Sequence, residues 1–244
     1  MIIRHQYRCS FNAAAKENGF DEAVEKCKNK AFALIKEGKL CNASFYRYEN
    51  MGFLHIEEIS DNGDKKIDPE GLFSDLAPFL KLWPREEGDR AYAPMIKVYY
   101  QWEPEENTDE WEKERTTDQK TRVGRIAFVF PEKLTSYIRY HKALTDEGLN
   151  KGDKYAYISM HENILFSYYE EPRNNVNIRK SDEPSSVIKE WLDVDPESHF
   201  DRVKARGMNF LVIPCLFTAD RVETSTSVLK YRTECLPAYP TART

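Results

Sequence analysis

Glycine is scarce, with 10 in 244 residues, and no Gly-x-x-x-x-Gly-Lys or Gly-x-Gly-x-x-Gly run occurs. Loops that cradle phosphate through bare backbone N–H groups are therefore not expected. His-x-x-x-His and Gly-x-Ser-x-Gly are also missing, which removes the commonest helix-borne zinc pair and the nucleophile elbow. The cysteines, Cys9, Cys27, Cys41, Cys215 and Cys235, are odd in number and widely scattered, with no Cys-x-x-Cys pair. They read as reduced packing residues, and neither a metal nor a cofactor is expected. No window nears the roughly 18 apolar residues of a membrane span. The opening Met1-Ile2-Ile3-Arg4-His5-Gln6 has no apolar signal core, so a cytoplasmic chain with no membrane partner is expected. The formal charge of -5 supplies no basic field for a phosphate backbone, which argues against a nucleic-acid partner.

What is present is apolar and aromatic: 41% of residues are hydrophobic and 13% aromatic, enough for one large core or two small ones. Ile2 to Phe11 is strand-like. Phe20, Ala23, Val24, Cys27, Ala31, Leu34 and Ile35 then keep the i, i+3, i+4, i+7 spacing of an amphipathic helix, which Gly38 stops. Ala43 to Tyr48 and Phe53 to Ile59 flank Glu49-Asn50-Met51-Gly52 as a hairpin. Leu72, Phe73, Leu76, Phe79, Leu80 and Trp83 predict a second helix ended by Pro84. Ile96, Val98, Tyr100 and Trp102 alternate with Lys97, Tyr99 and Gln101 as a half-exposed strand. The order is βαββαβ.

A charged stretch follows in which Trp111 is the single large apolar residue, and it reads as a linker. The same order then returns. Val123 to Phe130 is a strand, Leu134 to Thr145 a helix ending at Gly148, and Tyr155 to Met160 with Ile164 to Tyr169 a hairpin. Val187 to Leu192 is helical and Phe210 to Phe217 the last strand. Residues 49–58 lie over 162–171 with five identities in ten, where chance gives about 0.6. The chain is thus an internal repeat. The predicted parts are a first module at 1–106, a linker at 107–121, a second module at 122–220 and a C-terminal extension at 221–244, whose strand-like Ser227 to Tyr231 could add an edge strand or lie over a cavity.

A βαββαβ module makes an antiparallel sheet with both helices on one face, and the bare face needs a cover. The expected fold is α+β: two tandem ferredoxin-like modules whose antiparallel sheets pack face to face within one chain as a barrel-like body. A monomer with pseudo-two-fold symmetry or a homodimer both satisfy that requirement.

Chemistry then falls to imidazole and aromatic groups in an apolar setting, the kind of lining that holds sugars. Leu134, Tyr137, Ile138, His141 and Leu144 share one helical stripe, which makes Tyr137 and His141 neighbours on the buried side. A histidine near neutral pKa gives and takes protons, and a tyrosine one turn away orients it or shares a substrate hydroxyl. A core histidine satisfied by a backbone carbonyl fits the same pattern. His55, on a strand at the position repeated by Tyr168, lines the first sheet's cavity or packs. His5 alternates with Tyr7 as a packing residue, while His161 in a turn and His199 in a polar stretch read as solvated surface.

From 122 to about 218 the second module resembles L-rhamnose mutarotase of the dimeric α+β barrel superfamily. The resemblance is carried by Arg125-Ile126-Ala127-Phe128-Val129, Tyr137-Ile138-Arg139-Tyr140-His141, Tyr155-Ala156-Tyr157-Ile158 leading to Asn163-Ile164-Leu165-Phe166, and Trp191. It implies a cofactor-free isomerase that interconverts the α and β anomers of an aldose. His141 would transfer the proton, with Tyr137 beside it, and Tyr155, Tyr157, Trp191 and His55 would hold the sugar. The chain departs from the family after His141, where Lys142-Ala143-Leu144-Thr145-Asp146-Glu147-Gly148 is a shorter segment. The first module's helix has no matching histidine, so at most one complete site is expected. A non-catalytic sugar-binding module and a monooxygenase of the same superfamily are the alternatives, since one fold hosts many functions.

Overall fold

The structure, a computed structural model, describes residues 1–16, 18–61, 67–103, 108–117, 120–147, 152–176, 185–223 and 229–232. In chain order its elements are β1 Ile2–Phe11, α1 Phe20–Lys36, β2 Leu40–Tyr48, β3 Met51–Ile59, α2 Pro69–Leu72, β4 Leu80–Lys81, β5 Ala93–Pro94, β6 Ile96–Tyr100, α3 Thr108–Thr117 and β7 Thr121–Phe128. Then follow α4 Leu134–Glu147, β8 Gly152–Asp153, β9 Tyr157–His161, β10 Ile164–Glu171, β11 Asn175–Val176, α5 Ser186–Asp193, β12 Leu211–Val212, β13 Cys215–Glu223 and β14 Leu229–Arg232. The fold class is α+β with antiparallel sheets, as the sequence predicts.

Two compact units share the chain. The first takes the described residues of 1–95, 104–122 and 214–244, and the second those of 96–103 and 123–213. The predicted last strand of the first module pairs outside its own sheet, and that of the second is split. Ala93–Pro94 pairs with β1 of the first sheet, and the chain then leaves so that Ile96–Tyr100 pairs with β9 in the second. Leu211–Val212 pairs with β7, and after Pro214 the segment Cys215–Glu223 pairs with β2 in the first sheet. The sheets run β14-β13-β2-β3-β1-β4, with β5 also on β1, and β12-β7-β10-β9-β6. The boundaries expected at 106 and 122 thus give way to exchanged strands. β14 is an edge strand on β13, one of the two roles considered for the tail; Pro237, Pro240 and Cys235 lie outside the described residues, as does Gly148.

Local chemistry explains the elements that match expectation. α1 buries Phe20, Ala23, Val24, Cys27, Ala31, Phe32 and Ile35 on one side. Its C-terminus closes with the Lys39 N–H donating to the Leu34 carbonyl and the Gly38 N–H to that of Ile35, Gly38 taking φ 71, a Schellman arrangement. Both hairpins turn on Glu-Asn, with Glu49 at φ 55 and Glu162 at φ 56, so the repeat survives in backbone geometry. The Ser185 hydroxyl caps α5, accepting from the Ile188 N–H at 2.9 Å.

Three expectations change. The helix predicted through Trp83 is only the short α2, followed by a 3₁₀ turn over Ser74–Phe79 and then β4. Pro78 removes a backbone donor in the middle of that run. The predicted linker contains α3, whose Trp111 is 1% exposed. Among the cysteines, Cys9, Cys27 and Cys41 are free and buried, whereas Cys215 is disulfide-bonded, so the expectation of free thiols throughout does not hold. Burial pushes the Cys27 thiol up to about 11. No helix among the described residues is long and apolar enough to cross a membrane.

The first sheet is buried on both faces. Tyr7, Cys9, Phe11, Ala43, Phe45, Leu54, Ile56 and Phe217 pack with α1. The opposite face carries Gln6, His55, Ser44 and Thr218 in one row across four strands, and Arg4, Glu57, Asn42 and Asp220 in the next. Gly52 keeps the apolar side close-packed. It lies opposite Cys9, and a Cβ there would overlap the Cys9 sulfur and come within 3.0 Å of the Phe45 ring. Gly52→Ala is expected to cost about 1–3 kcal/mol in urea unfolding. A loss below about 0.5 kcal/mol would mean that the contact relaxes freely.

Candidate functional site

In the second unit α4 packs on the sheet through Tyr137, 0% exposed, in a cluster with Tyr99, Ala127, Val129, Ile158, Met160, Leu165 and Phe200. Of the stripe that the sequence places on this helix, Tyr137 and Leu144 are buried, whereas Ile138 is exposed. His141 follows one turn later, with its ring stacked on Tyr137 at 3.8 Å between centroids and 23° between planes. Trp191 of α5 meets it edge-on at 5.1 Å and Tyr99 of β6 at 6.2 Å. The predicted trio His141, Tyr137 and Trp191 thus stands together.

The His141 ring is held by a bond from Nδ1 to the Tyr137 carbonyl oxygen at 2.9 Å. A carbonyl only accepts, so Nδ1 carries the proton and Nε2 the lone pair. No residue bonds that Nε2. Burial pushes the imidazole pKa down to about 4, with a smaller push from the neighbouring His199. His141 is therefore neutral at pH 7 and presents an acceptor. The backbone anchor is the one expected of a core histidine, yet it satisfies one nitrogen and leaves the other open. The Tyr137 hydroxyl is the complementary case, buried with no hydrogen-bond partner. Burial pushes its pKa up, opposed by the charge of Arg125.

Sequence reasoning missed three members of this neighbourhood. Tyr99 was expected on the exposed side of its strand. A register shift between Lys97 and Tyr99 in the pairing with β9 breaks the alternation and buries the ring. His199, expected at the surface, is 1% exposed, sits 2.9 Å from the Ser136 hydroxyl and 4.8 Å, ring to ring, from Trp191. The signal available was Phe200, which anchors the 3₁₀ turn Pro196–His199 in the core. Arg125 lies with Tyr169 and Phe210, each ring centroid 4.7 Å from its guanidinium carbon.

The structure does not gather the other predicted residues here. Tyr157 pairs with Tyr168, and strand alternation turns it away from the face on which its neighbour Ile158 packs with Tyr137. Tyr155 is buried in the turn before β9, with the Lys154 ammonium 5.6 Å from its ring centroid.

His55 belongs to the first unit. Its Nδ1 is 3.2 Å from the Gln6 amide nitrogen and its Nε2 3.2 Å from Glu57 Oε1. Burial lowers its pKa in spite of Glu57, so the neutral ring donates from Nε2 and accepts at Nδ1. Arg115 of α3 grips Glu57 with two bonds of 2.6 and 2.8 Å, and the Trp111 indole N–H adds a third at 3.0 Å. Burial pushes the Glu57 carboxyl up, but the Arg115 guanidinium and these donors hold it well below the usual range. The second repeat keeps the motif in altered form, the Tyr168 hydroxyl donating to Glu170 at 2.7 Å. His55 is thus tied into a saturated ionic network. Among the described residues no group of three or more His, Cys, Asp or Glu side chains forms a metal site.

No protein-family model matches the chain, and no curated protein matches it in sequence. Among solved structures, it is similar to one titled a "Putative monooxygenase" from Fusobacterium nucleatum subsp. nucleatum, at 13% identity over 98% of both chains with a TM-score of 0.38. It is also similar to a "putative monooxygenase" from Lactobacillus acidophilus, at 6% identity over 95% of this chain and 99% of that one, again with a TM-score of 0.38. A bacterial light-regulated adenylyl cyclase follows at 7% identity and a TM-score of 0.25, over 98% of this chain and 79% of that one.

The ionic network in the first unit yields a stability test. Glu57→Gln strands the Arg115 guanidinium, which is 1% exposed, and is expected to cost about 3–5 kcal/mol. Combining it with Arg115→Met should cost clearly less than the two single changes summed. Additive costs in a denaturation cycle would show that the pair is not coupled.

Proposed function

We propose that the second unit is an acid-base site for a small hydroxylated molecule, and that its reaction is anomer interconversion of an aldose with His141 moving the proton. The supporting observation is the open Nε2 lone pair, fixed in tautomer by the Tyr137 carbonyl and walled by Tyr99, Tyr137 and Trp191. In this reading Nε2 takes the proton of the anomeric hydroxyl as the bond from C1 to the ring oxygen opens. A hydroxyl donor, Tyr137 or a bound water, protonates that oxygen. Rotation about the C1–C2 bond and reclosure on the other face return both protons. The aromatic walls stack on the apolar face of the ring. General acid-base assistance contributes 10²- to 10⁴-fold, and a base weakened by burial belongs at the lower end, about 10²-fold.

A second reading has its own support. An imidazole with Nδ1 held by a carbonyl and Nε2 open is also the arrangement of a histidine ready to bind a metal, as a haem-dependent monooxygenase would require. His141 would then hold the haem iron through Nε2, and a bound haem would supply the oxygen chemistry. Haemin titration separates the two readings: a Soret shift abolished in His141→Ala selects this one.

Exchange spectroscopy of anomeric protons tests the first. L-rhamnose, L-fucose, D-galactose and D-ribose are screened with the wild-type protein and His141→Ala. Acceleration of about 10²-fold for at least one sugar, lost in the variant, is the expected result. With a folded-state pKa of about 4 the base is unprotonated above about pH 5, so the rate should be flat there and fall through pH 4 as Nε2 takes a proton. The same shift acts on stability. His141 in the unfolded chain titrates near 6.5, so its contribution is fully present above that pH and is lost as pH falls towards 4. A folded protein that accelerates no sugar sinks the reading.

A further inference from the structure

Arg125 is out of keeping with its surroundings. It lies on β7, two residues before the buried Ala127 of the Tyr137 cluster, and its guanidinium is set between the rings of Tyr169 and Phe210 at 4.7 Å from each. Its single hydrogen bond runs from Nε to the Ser167 hydroxyl at 3.2 Å. No carboxylate pairs with it. Glu171 acts on it only through space, and Arg173, 4.8 Å from the same Tyr169 ring, repels it. The edge formed by Nη1 and Nη2 therefore makes no hydrogen bond to any residue. Arg125 is half-buried, and a guanidinium in that setting usually has a carboxylate or a carbonyl on its Nη edge, because lost hydration costs free energy. Two aromatic faces offset part of that cost but occupy no N–H.

A second orphan lies beside it. The Tyr137 hydroxyl is fully buried without a partner, and the Arg125 charge acts on it directly. The rings of Phe200 and Phe210 connect the two, at 5.8 Å from Tyr137 to Phe200 and 5.5 Å from Phe200 to Phe210. The protein thus presents a cationic fork and a hydroxyl donor that no residue of its own uses, on the flank of the tyrosine whose ring carries His141. Planar forks of this kind match the paired oxygens of a carboxylate or phosphate.

We propose that Arg125 is an anion-binding residue of the second unit, and that the molecule handled beside His141 carries a carboxylate or phosphate: a sugar acid or a sugar phosphate rather than a neutral sugar. The inference rests on the second unit being the ligand-binding one and not on the anomer chemistry itself. Arg125 binds the anion with its Nη edge, Tyr137 donates to a neighbouring oxygen of the ligand, and Arg173 adds long-range attraction.

Calorimetric titration at low salt tests it with D-glucuronate, D-galacturonate and D-glucose 6-phosphate against D-glucose and D-galactose. The acidic sugars should bind the wild-type protein at least about 10-fold more tightly than the neutral ones. Arg125→Gln should lose about 10- to 100-fold of that affinity, and Arg125→Lys should retain part of it, keeping the charge without the fork. Preference for the uronates over the phosphate, or the reverse, names the anion. Equal affinity for acidic and neutral sugars, no binding of any acidic sugar, or affinity untouched by Arg125→Gln would overturn the proposal. Thermal unfolding supplies an independent readout. Arg125→Met gives up only the bond to the Ser167 hydroxyl, so its unfolding temperature should stay close to that of wild type, and a marked loss would assign Arg125 a structural role instead. Acidic sugars that bind through Arg125 without faster anomer exchange leave this inference standing and end the mutarotase reading; neutral-sugar exchange indifferent to Arg125→Gln does the opposite.

Discussion

Every backbone N–H and C=O of a buried sheet must find a partner, and here that requirement is met by chain exchange. Each sheet's own contribution next to its first strand is very short, Ala93–Pro94 in one case and Leu211–Val212 in the other. The remaining edge, beside the second strand of each repeat, is completed by a segment that arrives from the other half of the sequence. Neither repeat closes its sheet alone, because unpaired strand edges buried away from water cost about as much as lost hydrogen bonds. The duplication is therefore a condition of the fold. It also sets the chemistry, for it is the exchanged β6 that brings Tyr99 to His141.

Within that frame the repeats have diverged on opposite faces. Both keep the Glu-Asn hairpin and a buried glutamate with a ring donor two residues before it, His55 for Glu57 and Tyr168 for Glu170. The first repeat builds an ionic network on its polar face, although the buried Asn42 Nδ2 there makes no hydrogen bond. Arg115, Trp111 and His55 fill the capacity of Glu57, and a further pair, Arg122 with Asp220 at 2.9 Å, is buried on the same face. Its helix α1 offers only apolar residues to the sheet. The second repeat does the reverse on its helix side, where α4 brings in an imidazole with one nitrogen open and a hydroxyl with no partner. Saturated groups hold a structure together, whereas unsatisfied ones are costly to keep and point to a ligand.

Much of this was legible in the sequence, and what was not has physical causes. Period 3.6 marked α1 and α4, period 2 marked the hairpin strands, and the identities at offset 113 exposed the repeat, because these signals are local. Alternation identifies a strand but does not name its partner, so the exchange of β6 and β13 was invisible. Trp111 was read as the lone apolar residue of a charged linker; one indole that buries itself against a single carboxylate leaves no periodic trace. Arg125 was quoted only as part of a resemblance, since a charged residue on a strand ordinarily marks the solvent side. Tyr137 and His141 were found because residues four apart share a helix face, whereas Trp191 came only from the resemblance. Tyr155 and Tyr157 were separated from them by the alternation of a strand.

The two orphan groups and the depressed histidine have one common resolution. Burial pushes the His141 imidazole down to about 4, and the Nη edge of Arg125 carries no carboxylate. An anion drawn to Arg125 brings negative charge into an apolar setting, where it acts strongly on its neighbours. Bound near His141, such a charge would favour the protonated imidazole and raise the affinity of Nε2 for a proton. A neutral sugar supplies no such charge and leaves the base weak. Under the proposal made above, an acidic ligand would therefore complete the site electrostatically as well as fill it.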